Sequence, residues 1–277
     1  MGKVTIPKIQ QMKREGINIS MTTAYDYPTA YFVNKAGIEI ILVGDSLAMT
    51  VLGLDTTVPV TLDEMIHHIK PVVKGAPETL IVGDMPFGTY QVSPEEAVAN
   101  AVRMMKEGGC DTVKLEGGTE MAGIVKRLVD AGIPVMGHIG LTPQTVSKLG
   151  GFKVQGKGEA AAKALLDDAL AMEAAGAWSL IIEAVPENVA KLITEKLSIP
   201  TIGIGGGRYC DGQVLVFHDM FGLFEKFLPK FVKQYALLGD QILEGLAAYK
   251  EDVRKGRFPE EQHVFGGVTE EELKRLY

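Results

Sequence analysis

Four strand-like runs in this chain each end on a carboxylate: Ile40-Ile41-Leu42-Val43-Gly44-Asp45, Leu80-Ile81-Val82-Gly83-Asp84, Thr112-Val113-Lys114-Leu115-Glu116 and Leu180-Ile181-Ile182-Glu183. An apolar run of this kind reads as a strand buried on both faces of a parallel sheet, where a charged group is costly. An acid at the last residue leaves the core for the mouth of the sheet. Packing gives no reason for several strands to deliver acids to one rim, whereas a metal site or an acid/base site requires it. The chain reads as an enzyme.

Composition bounds that reading. The 277 residues, 46% hydrophobic and 23% charged, suit one globular domain, since single α/β barrels run to ~250 residues. A formal net charge of -7 argues against a nucleic-acid partner, which needs a basic face. Cys110 and Cys210 make no disulfide framework and have no metal-ligand spacing, so they read as small core residues. The start, Met1-Gly2-Lys3-Val4-Thr5-Ile6-Pro7, lacks the apolar stretch of a signal peptide, and no run reaches the ~18 apolar residues of a membrane span. A cytoplasmic enzyme of small molecules, with no membrane partner, is the expectation.

Eight strand-then-helix units run along the chain. The expected strands are 17–23, 40–45, 80–84, 112–116, 135–139, 179–183, 201–204 and 214–218. Helical periodicity fills the gaps at 95–107, 119–130, 159–174 and 187–197, and Ser93-Pro94 forms an N-cap with proline at the first helical position. This alternation predicts an α/β fold, a single-domain (β/α)8 barrel spanning 1–277, with an open doubly wound sheet as the alternative. In either fold the functional residues sit at the carboxyl ends of the strands. The aromatic-rich segment 221–249 reads as a long helical region. It is too apolar for a free tail, so residues 221–277 are expected to pack as C-terminal helices on the barrel or on a neighbouring subunit.

The rim acids suggest their own chemistry. Hard oxygen ligands such as Asp45, Asp84 and Glu116 suit Mg²⁺, which takes one or two carboxylates and keeps waters or substrate oxygens. For a single Asp, capping the next helix is the competing reading. Lys114 lies two residues before Glu116 and faces the same way, so it either bridges to a carboxylate or meets an anionic substrate, the reading favoured here. Glu183 stands in an apolar run suited to a general base, with a cap or salt bridge as the alternative. His138, at the end of the fifth strand, is a further rim candidate or a satisfied near-core histidine. Gly205, Gly206 and Gly207 follow strand seven, where many barrels bind phosphate, although glycines also serve tight turns.

Taken together, these strings resemble the ketopantoate hydroxymethyltransferase family of pantothenate and coenzyme A biosynthesis. The resemblance runs through Thr22-Thr23-Ala24-Tyr25-Asp26, Val43-Gly44-Asp45-Ser46, Gly83-Asp84-Met85-Pro86-Phe87, Val113-Lys114-Leu115-Glu116-Gly117-Gly118, Gly137-His138-Ile139-Gly140-Leu141-Thr142-Pro143-Gln144 and Cys210-Asp211-Gly212-Gln213. Gly206 departs from it, where alanine is usual. The resemblance implies a (β/α)8 barrel with Mg²⁺ held by Asp45 and Asp84 and Glu116 in its shell. It further implies that Asp45, Ser46, Asp84 and Lys114 bind a 2-oxo acid, and that Glu183 accepts a proton. The implied reaction passes the one-carbon unit of 5,10-methylenetetrahydrofolate to 3-methyl-2-oxobutanoate through a metal-stabilised enolate, giving 2-dehydropantoate and tetrahydrofolate. The family's decamer implies a homo-oligomer.

Two rival readings remain at this point. A carbon–carbon lyase of related barrels would share the metal and the acids, but should carry a cysteine acid near strand four or five, and Cys110 precedes strand four. A non-enzymatic anion-binding barrel leaves acids at four strand ends unexplained.

Overall fold

Eight parallel strands close into one barrel in chain order. In the computed structural model, which describes residues 2–277, they are β1 (Ile19–Thr23), β2 (Ile40–Val43), β3 (Leu80–Asp84) and β4 (Thr112–Glu116), followed by β5 (Val135–Gly140), β6 (Ser179–Glu183), β7 (Thr201–Ile204) and β8 (Gly212–Leu215). The period of two along each strand sorts the side chains. Ile40, Leu42, Leu80, Val82 and Ile181 belong to an inner cluster. Their neighbours Ile41, Val43, Ile81, Val113 and Ile182 face out and pack with the surrounding helices.

Three boundaries differ from the sequence expectation. β2 stops at Val43, so Asp45 stands in the turn beyond the strand. β8 covers Gly212–Leu215, and Phe217–Met220 is a short helix, so His218 lies beyond the strand. The third concerns the expected helical region 221–249. Residues 221–237 form turns and bends, with Gly222 at φ +63° and Pro229 interrupting the segment, and the helix is Leu238–Arg254, none of whose residues is buried. Several helices, among them Tyr27–Lys35, lie outside the sequence expectation, and one of them closes the bottom of the barrel. Helix Ile6–Glu15, with Pro7 in its first turn and left-handed Gly16 at its end, places Ile9 and Met12 in the inner cluster and stoppers the amino-terminal end of the barrel.

The helix starts follow their caps. Ser93 Oγ accepts from Glu96 N at 3.1 Å beside Pro94, and Thr61 with Glu64 forms a capping box for Leu62–Gly75. With the core stoppered at one end and the helices fastened outside, the carboxyl ends of the strands are left to carry polar groups. At the bottom, Trp178 Nε1 donates to Thr112 Oγ1 at 2.9 Å, which satisfies both groups inside the barrel.

Gly75 shows how closely the outer layer is packed. A Cβ there would stand 2.6 Å from the Tyr27 carbonyl oxygen and 2.9 Å from Ala30 Cβ on helix Tyr27–Lys35. Overpacking of this kind costs about 1–3 kcal/mol. Gly75→Ala should therefore lower the calorimetric Tm by several degrees, and an unchanged Tm would mean that the two helices can part without cost.

Candidate active site

Strand register assembles the rim. Asp84 on β3 pairs with Lys114 on β4, Glu116 with His138 on β5, and Gly140 with Glu183 on β6. Lys114 Nζ donates to Asp84 Oδ1 at 2.6 Å and lies 3.6 Å from Glu116 Oε1. The His138 ring stands between two acids, with Nδ1 3.4 Å from Glu116 Oε1 and Nε2 3.1 Å from Glu183 Oε2. Both approaches are off the N–H directions, so they act as charge contacts rather than aligned hydrogen bonds. Asp45 joins through its backbone N–H, which donates to Asp84 Oδ2 at 3.1 Å. The result is one chain of charged groups from β2 to β6, buried except for partly open Glu183.

Three residues outside the sequence assignments hold this chain in place. Gln144 Nε2 donates to Asp45 Oδ2 at 3.0 Å and to the Met85 carbonyl at 2.9 Å, while its backbone N–H donates to Glu116 Oε2 at 3.1 Å. Its Oε1 accepts from the Tyr90 hydroxyl at 2.6 Å, and that hydroxyl in turn accepts from Glu116 N at 3.2 Å. Since Nε2 meets two acceptors and Oε1 meets a hydroxyl, the orientation of the amide is determined by its partners. Tyr25, wholly buried, shares a 2.7 Å hydrogen bond with Ser46 Oγ. The signal for Gln144 was its place just past the β5 end, in Thr142-Pro143-Gln144. Nothing local distinguishes Tyr90, which arrives through the loop after β3.

The backbone beside Glu183 is strained where the side chain has to be aimed. Ala184 has φ +48°, uncommon for a residue with a Cβ, and its N–H donates to the Ile204 carbonyl at 2.9 Å. Opposite, Gly140 has φ +93°, and a Cβ there would stand 2.3 Å from the Glu183 carbonyl oxygen. Only glycine permits this approach.

Charge is unevenly balanced. Burial pushes the Asp45 carboxyl well above its ordinary range, and the Asp84 and Glu116 charges add to it. Burial also raises Asp84, against the pull of Lys114. For Glu116 burial acts upward too, but Lys114 and His138 outweigh it and bring the group below the usual range. Burial lowers Lys114, and the carboxylates around it more than reverse that. Burial and the Lys114 charge both push His138 down, yet Glu116 and Glu183 hold it up to about 9, so the ring is a cation at neutral pH. Three carboxylates thus share one lysine at the β2–β4 side, an excess of buried negative charge that a divalent cation would neutralise. Among the described residues no three His, Cys, Asp or Glu side chains converge as a complete metal cage. A Mg²⁺ ion would need only one or two carboxylates, its other positions being filled by water and substrate oxygens. Asp45 and Asp84, with Glu116 behind them, are the carboxylates that could hold such an ion.

All the residues singled out from sequence share this rim. Lys114 takes the first of its two expected partners, a carboxylate. Glu183 does not stand in a purely apolar wall, because His138 touches it. Cys110 and Cys210 are buried and free, as read, and Cys110 lies beneath the outer face of Gly83. Among the described residues no helix is long and apolar enough to cross a membrane.

The chain is similar to proteins already known. The chain is similar over 275 residues, 99% of each chain, to the 3-methyl-2-oxobutanoate hydroxymethyltransferase of Heliobacterium modesticaldum at 62% identity. It is similar to that of Carboxydothermus hydrogenoformans at 54% identity over 277 residues, all of both chains. Among solved structures, phosphonopyruvate hydrolase with oxalate and Mg²⁺ superposes with a TM-score of 0.61 at 10% identity, covering 100% of this chain and 95% of that one. A 2,3-dimethylmalate lyase gives 0.60 at 15% identity, again covering 100% and 95%. These two share the fold. The family model described as ketopantoate hydroxymethyltransferase matches residues 3–261. The chain belongs to the ketopantoate hydroxymethyltransferase family.

Proposed function

We propose that this enzyme transfers the one-carbon unit of 5,10-methylenetetrahydrofolate to 3-methyl-2-oxobutanoate, giving 2-dehydropantoate (ketopantoate) and tetrahydrofolate, the first step of pantothenate synthesis in the cytoplasm. The observation that carries the reading is the buried line of Asp45, Asp84, Lys114, Glu116, His138 and Glu183. One end has excess negative charge and a lysine, and the other has a carboxylate open to the mouth.

In this reading Lys114 and Ser46 bind the carboxylate end of the keto acid. Lys114 is released from Asp84 only in part, since both can share the ammonium. When bound, Mg²⁺ at Asp45 and Asp84 supplies a Lewis acid that draws charge toward the keto oxygen. Glu183 takes the proton from the carbon beside the carbonyl. Water adds to the donor's methylene, whose two C–N bonds break as both nitrogens of tetrahydrofolate take the protons of that water. The deprotonated carbon bonds to the one-carbon aldehyde so released, whose oxygen becomes the hydroxyl by taking back the proton held on Glu183. His138, a cation between Glu116 and Glu183, positions Glu183 Oε2 and stabilises its charge. Gln144 keeps Asp45 and Glu116 apart at fixed orientations. A lyase reading lacks support from the cysteines, both of which are buried away from the rim line.

The test is exchange of the C3 proton of 3-methyl-2-oxobutanoate with solvent deuterium, followed with and without Mg²⁺ and with no folate present. Glu183→Gln should lose exchange and turnover together, by about 10²–10⁴-fold, with keto-acid affinity nearly unchanged. Normal exchange with lost turnover would remove Glu183 from proton abstraction, and metal-independent exchange in the unaltered enzyme would remove the metal from the reading.

Gln144 generates a second expectation. Gln144→Leu deprives Asp45 of its donor and should weaken Mg²⁺ affinity by about 10–100-fold, as loss of an outer partner does at metal sites. Calorimetric titration measures this directly, and equal affinity would leave Gln144 a purely structural group.

The C-terminal helix supports a homo-oligomer. Leu238–Arg254 exposes Ile242, Leu243, Leu246, Tyr249 and Val253, and a cavity of about 570 Å³ lined by Ile19, Phe32, Ile38, Leu215 and Phe221 opens at the β8–β1 seam. An apolar helix face without a partner and an apolar groove without a helix suit burial between copies, in a ring assembly such as a decamer. Light scattering should find an assembly far above the 29.9 kDa of one chain, and a stable active monomer would refute it.

A further inference from the structure

The charged groups occupy the rim from β2 to β6, through Asp45, Asp84, Lys114, Glu116, His138 and Glu183, and the remaining arc over β7, β8 and β1 carries a different set. There the short helix Phe217–Met220 begins two residues after β8 and presents His218 and Asp219. Asp219 is 8% exposed. Among the described residues its carboxylate has no hydrogen-bond or ion-pair partner, and only its backbone is bonded, to Val216, Gly222 and Gln234. A buried carboxylate is ordinarily paired, and one left without donors forgoes several hydrogen bonds. His218 next to it has the same deficit, since its Nδ1 is buried without a partner. The ring lies 5.5 Å from that of Tyr25, whose hydroxyl meets Ser46 Oγ at 2.7 Å. These contacts connect the unpartnered pair to the keto-acid side of the mouth, and the Asp219 charge reaches far enough to add to the upward shift that burial imposes on the Tyr25 phenol.

We propose that Asp219, with His218 beside it, forms the subsite for the one-carbon donor's pterin ring, the carboxylate accepting two hydrogen bonds from the ring's adjacent N–H and amino groups. This rests on the folate-type donor proposed above. The pterin edge carries two donors on one carbon, the same planar fork that a guanidinium offers to a carboxylate, and a buried acid with no other donor is its complement. His218 Nδ1 can donate or accept according to its tautomer, so it can serve a further ring heteroatom. Burial pushes Asp219 up to about 6 and pushes His218 down. Both are shifts that a hydrogen-bonding ligand would relieve. The position also fits the reaction. The pair follows β8, which only β7 separates from the Glu183 strand β6, so it lies on the arc that the β2–β6 line leaves free.

Asp219→Asn, in the full chain, tests the subsite. Loss of one charged acceptor from a paired contact is expected to raise the KM for 5,10-methylenetetrahydrofolate by about 10–100-fold. The keto-acid KM and the rate of folate-independent deuterium exchange should stay within about twofold, since neither step touches the pterin. A second arm needs no variant: tetrahydrofolate lacking the 2-amino group should bind the unaltered enzyme about 10–100-fold more weakly than tetrahydrofolate, and the difference should vanish in Asp219→Asn. An unchanged folate KM, or equal binding of the two ligands by the unaltered enzyme, overturns the proposal. Loss of exchange in Asp219→Asn with normal keto-acid KM also overturns it, by moving Asp219 to the proton-transfer step. Failure of the unaltered enzyme to catalyse exchange or use the folate donor would instead refute the functional reading itself.

Discussion

The ion pair between Lys114 and Asp84 sets the terms for the rest of the rim. At 2.6 Å and with both side chains almost wholly buried, neither group has water to fall back on. Removing one partner of such a pair costs about 3–5 kcal/mol, because the other is left charged in the protein interior. Every nearby group is arranged to share that charge. Glu116 approaches the same ammonium, His138 approaches Glu116, and Glu183 approaches His138. The positive and negative groups alternate from β3 to β6, and the alternation fails only at Asp45, where a second carboxylate meets Asp84 through a backbone N–H. That failure leaves negative charge uncompensated, which a bound cation would neutralise.

The barrel can sustain such a line because the cost of burying it is confined to one layer. Below it the inward side chains are mostly apolar, with Thr112 satisfied by Trp178, and end at helix Ile6–Glu15, and above it lies the mouth. Strands running parallel with matched registers put Asp84 beside Lys114, and Glu116 beside His138, without any special loop. Where the strands alone do not suffice, backbone strain and small residues complete the geometry. Ala184 in the left-handed region and Gly140 against the Glu183 carbonyl aim one carboxylate into the mouth. Gln144 does the same for Asp45 and Glu116 through hydrogen bonds, which orient two like charges without neutralising either.

Division of the rim into two arcs follows from the same constraint. The charged groups compensate one another, so they occupy neighbouring strands. The β7–β8–β1 arc lies outside that line and holds groups whose hydrogen-bonding capacity is unused. A two-substrate reaction is accommodated by one barrel when the substrates approach over different arcs and meet over its axis.

From the sequence alone, the alternation of apolar runs and helical segments was enough for eight βα units, because strand and helix periods are local properties of the chain. The strand-end position of Asp84, Glu116 and Glu183 was legible for the same reason, and so was the common facing of Lys114 and Glu116, two residues apart on one strand. Closure of the sheet was not legible, since whether β8 meets β1 depends on the tilt and stagger of all eight strands together. The stopper helix Ile6–Glu15 escaped notice because its purpose, covering Ile19 and Trp178 at the barrel bottom, exists only once the barrel has closed. Gln144 had only its place just past β5 to mark it and Tyr90 had nothing, as their partners Asp45 and Gln144 lie 99 and 54 positions away in the chain. Tertiary structure likewise decided that Lys114 rests on Asp84 and that a cationic His138 stands against Glu183. Side-chain type and spacing declare what a residue can do, but distance and burial, which determine whether a charge is paired, arise only when remote strands are brought into register.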